Sequence, residues 1–212
     1  MRPLCQREEA SCGACCGLYN RRDHSRGSLE ATLRRRTEWL ALVPRSEGGF
    51  RAAAARLAAT EPPPLFPSVR VCPLLGFLDA GESRIGCLAH PAVTGGPDLR
   101  DAGVYGARTC ESFMCPSHGW LSEEEAELAG RACGDAWLYG LVVTDVPFLR
   151  AALSAVAEGT GARVEPRHLS RPAFGSALRS LLALKEELAP GSDGLYGAFR
   201  AGPAGEDLPR DI

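Results

Sequence analysis

Ser11-Cys12-Gly13-Ala14-Cys15-Cys16-Gly17 places three thiols within five positions, among glycine and alanine. Such small residues let backbone amides approach the sulfurs. Cys12-x-x-Cys15 has a spacing from which one turn can present two thiolates to one metal centre. Cys16 follows Cys15 directly, cannot share its geometry, and is placed for a second centre. Four more thiols, Cys72, Cys87, Cys110 and Cys115, lie far downstream. The reading is that the chain folds so that the upstream and downstream groups meet around metal. A thiolate is a soft anionic donor, suited to zinc and to iron-sulfur clusters. The plain alternative is a set of buried cysteines acting as small apolar side chains.

Composition sets the frame. The chain has 212 residues, 45% hydrophobic and 24% charged, enough for one generous domain or a domain with extensions. A formal net charge of -2 offers no global field to nucleic acid or to an anionic membrane, so neither is expected as a partner. Arg34-Arg35-Arg36 reads as the wet face of a helix. Met1 to Cys5 carries no apolar segment of a secretory signal, and no stretch reaches the 18 or so apolar residues of a membrane span. The expectation is a cytoplasmic protein. Thiols stay reduced there, so clustered ones read as metal ligands, and nine cysteines cannot all pair in disulfides.

The spacing predicts a helix over 28–43, with Leu29, Leu33, Leu40 and Val43 near one face, and a second, Ala-rich helix over 50–59. Glu61-Pro62-Pro63-Pro64 then makes a stiff connector. Residues 65–120 lack helical periodicity; Val69–Val71 and Ile85–Leu88 are candidate strands. So long an irregular stretch needs an external constraint, which structural metal would supply. Ser122 and Glu125 form a capping-box pattern that predicts a helix to about Gly140. Asp145 caps the next, which ends at Gly159-Thr160-Gly161. Ser170 and Pro172 open the last, closed by Pro190-Gly191.

The expected fold is therefore mainly α, with an irregular cysteine-rich metal-binding core and a few short strands at most. Residues 1–120 form the cysteine-cluster region with its two helices. Residues 121–190 supply supporting helices of the same domain, and 191–212 form a Gly/Pro-rich tail.

Cys12-Gly13-Ala14-Cys15-Cys16 resembles the signature of the YkgJ-like CxxCxxCC family, described as zinc- or iron-chelating domains. The downstream segments are similar as well: Cys72-Pro73-Leu74-Leu75, Cys87-Leu88-Ala89-His90-Pro91, and Arg108-Thr109-Cys110-Glu111-Ser112-Phe113-Met114-Cys115-Pro116. The resemblance covers roughly residues 5 to 116. It departs at the first cysteine, which would fall at Glu9; Cys5 is the substitute, from a looser loop. It also departs in the longer Cys87–Cys110 interval, an inserted loop around Thr94-Gly95-Gly96-Pro97. The resemblance implies eight ligands: Cys5, Cys12, Cys15, Cys16, Cys72, Cys87, Cys110 and Cys115. Eight suffice for two four-coordinate sites, or for one cluster and a separate zinc.

Cys133 lies on the apolar stripe of a predicted helix and reads as core. His90 and His118 stand within three residues of a candidate ligand, either to ligate or to hydrogen-bond a thiolate. His24 and His168 read as surface residues.

The functional expectation is a metal-binding protein holding zinc or an iron-sulfur cluster through clustered cysteines. The resemblance extends to flagellin lysine N-methylases, which implies an alternative iron-sulfur redox or methyl-transfer role. A disulfide-stabilised interaction protein is the second alternative. Gly159-x-Gly161 lacks the third glycine of a dinucleotide loop, and no Ser/His/Asp constellation stands out. The sequence leaves catalysis, the metal's identity, the division of the thiols, the oligomeric state and any protein partner open.

Overall fold

In the computed structural model, helices dominate the described residues, 3–67 and 69–188, as expected of a mainly α chain. The one sheet described is a two-stranded hairpin. The chain divides into two units: residues 15–114, and residues 1–14 together with 115–212.

In the 15–114 unit, α1 (Arg26–Ala41) and α2 (Glu47–Thr60) come first. α1 buries Leu29, Thr32, Leu33, Arg36 and Leu40, spaced three and four apart along one face. The Ser46 hydroxyl accepts the Gly49 N–H at 3.2 Å and caps α2. Pro62 favours an extended residue before it, so α2 stops at Glu61. β1 (Leu75–Phe77) and β2 (Ile85–Cys87) pair antiparallel, with Leu75 opposite Cys87. Thr37 accepts the Phe77 N–H at 2.8 Å and so fixes β1 against α1. α3 (Pro91–Thr94), a 3-10 turn at Arg100–Ala102 and α4 (Ala107–Ser112) complete the unit. Its core joins Leu40, Phe50, Ala53, Ala54, Leu57, Cys72, Leu74, Ala89, Leu99 and Ala102. Burying one large apolar side chain of this kind contributes about 1.5–3 kcal/mol.

Three expectations are corrected here. Residues 69–71 are not a strand. Buried Asn20 instead donates its amide to the Phe66 and Val69 carbonyls at 3.0 and 2.8 Å, and accepts the Phe66 N–H at 2.8 Å. These bonds occupy backbone groups that a strand would need. The arginine run is not uniformly wet: Arg36 is fully buried. Its guanidinium donates to Glu61 at 2.7 and 2.6 Å and to the Cys72 carbonyl at 3.0 Å. Arg21 binds the same carboxylate. His24 is buried, not a surface residue, with Nδ1 3.1 Å from the Arg21 carbonyl oxygen.

In the other unit, residues 5–12 form a short hairpin. Arg7 N–H donates to the Ala10 carbonyl, Cys12 N–H donates to the Cys5 carbonyl, and Gln6 pairs with Ser11. Helices α5 (Pro116–Trp120), α6 (Glu123–Cys133), α7 (Ala136–Val143), α8 (Val146–Thr160) and α9 (Pro172–Leu188) follow. The expected capping box is present at Ser122 and Glu125. The helix it opens does not continue to Gly140. It ends at Gly134, whose φ of 78° is left-handed, and Asp135 starts α7 by accepting the Leu138 N–H at 2.9 Å. All eight residues of α7 are buried. Tyr139 donates to the Leu4 carbonyl at 2.9 Å and holds the N-terminal arm on α7. Asp145 and Gly161 bound α8 as expected. α9 buries Phe174, Leu178 and Leu182, whereas Leu188 at its end is exposed. His168 is half-buried against Phe174.

The expected stop at Pro190-Gly191 and the 191–212 tail lie outside the described residues. No single helix among the described residues is long and apolar enough to cross a membrane.

Candidate metal centre

The hairpin accounts for Cys5. With Gln6 opposite Ser11 and a backbone bond from Cys12 to Cys5, these two cysteines face each other across the ribbon. A hydrogen-bonded antiparallel pair has its Cα atoms about 5.5 Å apart, with both side chains on one face. Cys5 thus comes level with Cys12 through a two-residue turn at Glu8-Glu9 rather than from a looser loop. Cys12 is buried and Cys5 exposed. The Ala14 N–H donates to Cys12 Sγ at 3.3 Å. Cys115 immediately precedes α5. Burial raises the Cys5 and Cys12 thiols most, and the Cys115 charge raises both further.

In the 15–114 unit, Cys15 and Cys16 end a 3-10 turn at Ala14–Cys16. Gly17 follows with φ 78°. A Cβ there would stand 2.9 Å from the Val71 Cα and closer still to the Arg70 carbonyl oxygen, so only glycine lets segment 70–72 lie against this turn. Cys72 N–H then donates to the Cys16 carbonyl at 2.8 Å. Burial raises the Cys72 thiol, and the Leu74 and Val104 amides lower it. Cys87 closes β2. Cys110 stands exposed on α4.

Charges tie these thiols together. Burial, opposed by the Ala89 amide and reinforced by Cys72 and Cys110, pushes the Cys87 thiol up to about 12, with Arg100 pulling it back. Burial and then Cys72 raise Cys110, and Arg100 lowers it. Arg36 lowers Cys72 against the larger effect of burial. Tyr105 is raised by burial, then by Cys16, Cys72 and Cys15, and its hydroxyl donates to the Arg70 carbonyl at 3.0 Å. The direct upstream–downstream link in the 15–114 unit is the backbone bond from Cys72 to Cys16, and in the other unit the Cys115 charge acts on Cys5 and Cys12.

Other candidates take other roles. His90 caps α3, its Nδ1 accepting the Ala92 N–H at 3.2 Å. His118 lies in α5, its N–H donating to the Cys115 carbonyl at 2.8 Å. Cys133 is buried at the end of α6, its thiol raised by burial and then by Asp135. Sequence reasoning missed Asn20, Arg36, Arg100 and Gly17. Arg36 had a legible signal, since it lies three residues after Leu33 and four before Leu40. Among the described residues no cysteine is joined in a disulfide, and no group of three or more His, Cys, Asp and Glu side chains is drawn up to hold a metal ion. Thiolates suit a soft metal by donor type, and their placement does not gather three of them around one position among the described residues. No family model, curated protein or solved structure matches the chain.

Proposed function

We propose that this chain is a metal-binding protein that holds zinc or an iron-sulfur cluster through its clustered cysteines. The observation that carries the reading is backbone support of the sulfurs. The Ala14 N–H donates to Cys12 Sγ at 3.3 Å, and the Leu74 and Ala89 amides lower the Cys72 and Cys87 thiols against the larger effect of burial. An amide aimed at sulfur favours the charged thiolate, the form that binds metal. Burial raises all three thiols, so metal that binds their thiolate forms displaces protons, and binding couples to folding.

Metal content of purified variants tests the reading. Replacing Cys12, Cys15 or Cys16 with Ser is expected to lower bound metal per chain and the thermal midpoint. Cys133→Ser is expected to keep full metal content and lose only about 1 kcal/mol of packing. Unchanged stoichiometry in all three of the first variants would remove the proposal.

A further inference from the structure

The hairpin at residues 5–12 sets two thiols face to face by its own backbone. Gln6 pairs with Ser11, the Arg7 N–H donates to the Ala10 carbonyl at 2.9 Å, and the Cys12 N–H donates to the Cys5 carbonyl at 3.1 Å. That register puts Cys5 directly opposite Cys12. Cα atoms at such a hydrogen-bonded position stand about 5.5 Å apart, inside the roughly 4.4–6.8 Å that a disulfide spans. The Cβ atoms there lie at the wide end of about 4.5–5.5 Å, more than the ~3.8 Å of a relaxed disulfide. Closing a bridge therefore draws the strands together and leaves it strained. Strained bridges are the readily reduced ones. The two thiols differ in access, Cys5 being exposed and Cys12 buried. Buried Tyr139 donates to the Leu4 carbonyl at 2.9 Å and anchors the strand that carries Cys5.

We infer that Cys5 and Cys12 form a reversible dithiol–disulfide pair, in which exposed Cys5 reacts first and buried Cys12 closes the bridge. The oxidant is a low-molecular-weight disulfide, for which oxidised glutathione is the probe. Cys5 gives its proton to water and attacks one sulfur of the oxidant. The Cys5–glutathione bond forms, the oxidant's S–S bond breaks, and one glutathione thiolate leaves. Cys12 then gives up its proton and attacks the Cys5 sulfur. The Cys5–Cys12 bond forms, the mixed disulfide breaks, and the second thiolate leaves. Both thiolates take up the released protons. The pair has lost two electrons and two protons, and oxidised glutathione has become two molecules of the reduced form. Excess reduced glutathione runs both steps backwards. The inference needs only the hairpin and its two thiols, and stands apart from metal binding.

Peptide mapping tests it on the full chain, reduced, washed with EDTA and exposed to oxidised glutathione before free thiols are alkylated. Trypsin places Cys5 on residues 1–7, Cys12 with Cys15 and Cys16 on 8–21, and Cys115 with Cys110 on 109–131. The expected product joins 1–7 to 8–21, with fragmentation assigning the link to Cys12, and excess reduced glutathione removes it. Cys15→Ser and Cys16→Ser are expected to keep that link. Cys12→Ser is expected to trap Cys5 as its mixed disulfide with glutathione. Cys5→Ser, a change at an exposed side chain, is expected to leave Cys12 free of glutathione. Cys5 joined to 109–131, to Cys15 or to Cys16, or left unbridged in the parent chain, would overturn the pairing. Glutathione on Cys12 in Cys5→Ser would overturn the order of attack. Metal content plays no part in these readouts, so their failure is distinct from failure of the metal-binding reading.

Discussion

Glu61→Gln is expected to destabilise the 15–114 unit by about 3–5 kcal/mol, the cost of leaving a buried ion-pair partner uncompensated. Glu61 is 5% exposed and serves two buried guanidiniums, those of Arg36 and Arg21, with Arg35 3.5 Å away at the edge. The amide replaces a carboxylate with a group that cannot neutralise either arginine. The damage reaches the candidate centre, because Arg36 also donates to the Cys72 carbonyl. Denaturant unfolding of parent and variant measures the loss; a difference below about 1 kcal/mol would put the pair among ordinary surface bridges.

The same carboxylate gives a pH dependence of defined sign. Burial pushes the Glu61 carboxyl up, but Arg36 and Arg21 together hold it below its ordinary value. A carboxylate depressed in the folded state contributes stability that is complete above the unfolded pKa and lost as pH falls through the folded one. The parent should therefore lose stability on acidification below the ordinary carboxylate range. Glu61→Gln should lack that component of the loss.

Gly17→Ala is expected to cost about 3 kcal/mol, from a left-handed backbone and a clash with main-chain atoms. A flexible side chain could move aside, but the Arg70 carbonyl and the Val71 Cα belong to the segment that positions Cys72. Relief requires the two segments to part, which breaks the bond from Cys72 N–H to the Cys16 carbonyl. Hydrogen exchange at the Cys72 amide reports this directly, with faster exchange expected in the variant. Unchanged exchange with unchanged stability would show that the close approach is not required.

Much of the helical architecture was readable because its signals are local. Ser122 with Glu125, Asp145 with Pro147, and Gly161 each act through neighbours in sequence, and the structure bounds helices at each. The break after Cys133 was missed because Ala126, Ala129, Cys133, Trp137 and Leu141 keep a helical spacing straight through it. The left-handed Gly134 and the Asp135 cap override that spacing. The second failure is of a different kind. Residues 69–71 have strand propensity, but the Asn20 side chain, 46 residues from Phe66 and 49 from Val69, takes up the backbone there. Sequence spacing gives no notice of a bond of that span. For the thiols, sequence spacing carried no notice of which lie together: Cys5 meets Cys12 through the hairpin at 5–12, and Cys72 meets the Cys16 backbone through the approach that Gly17 permits. Arg100 was invisible for the same reason, since its place beside Cys87 and Cys110 comes from the loop between β2 and α4.

The most direct test of the central claim is elemental analysis with a visible absorption spectrum on protein purified without oxygen. The account predicts metal in stoichiometric amount: colourless protein with zinc, or brown protein with iron and sulfide. Metal-free protein with its cysteines joined in disulfides would contradict it.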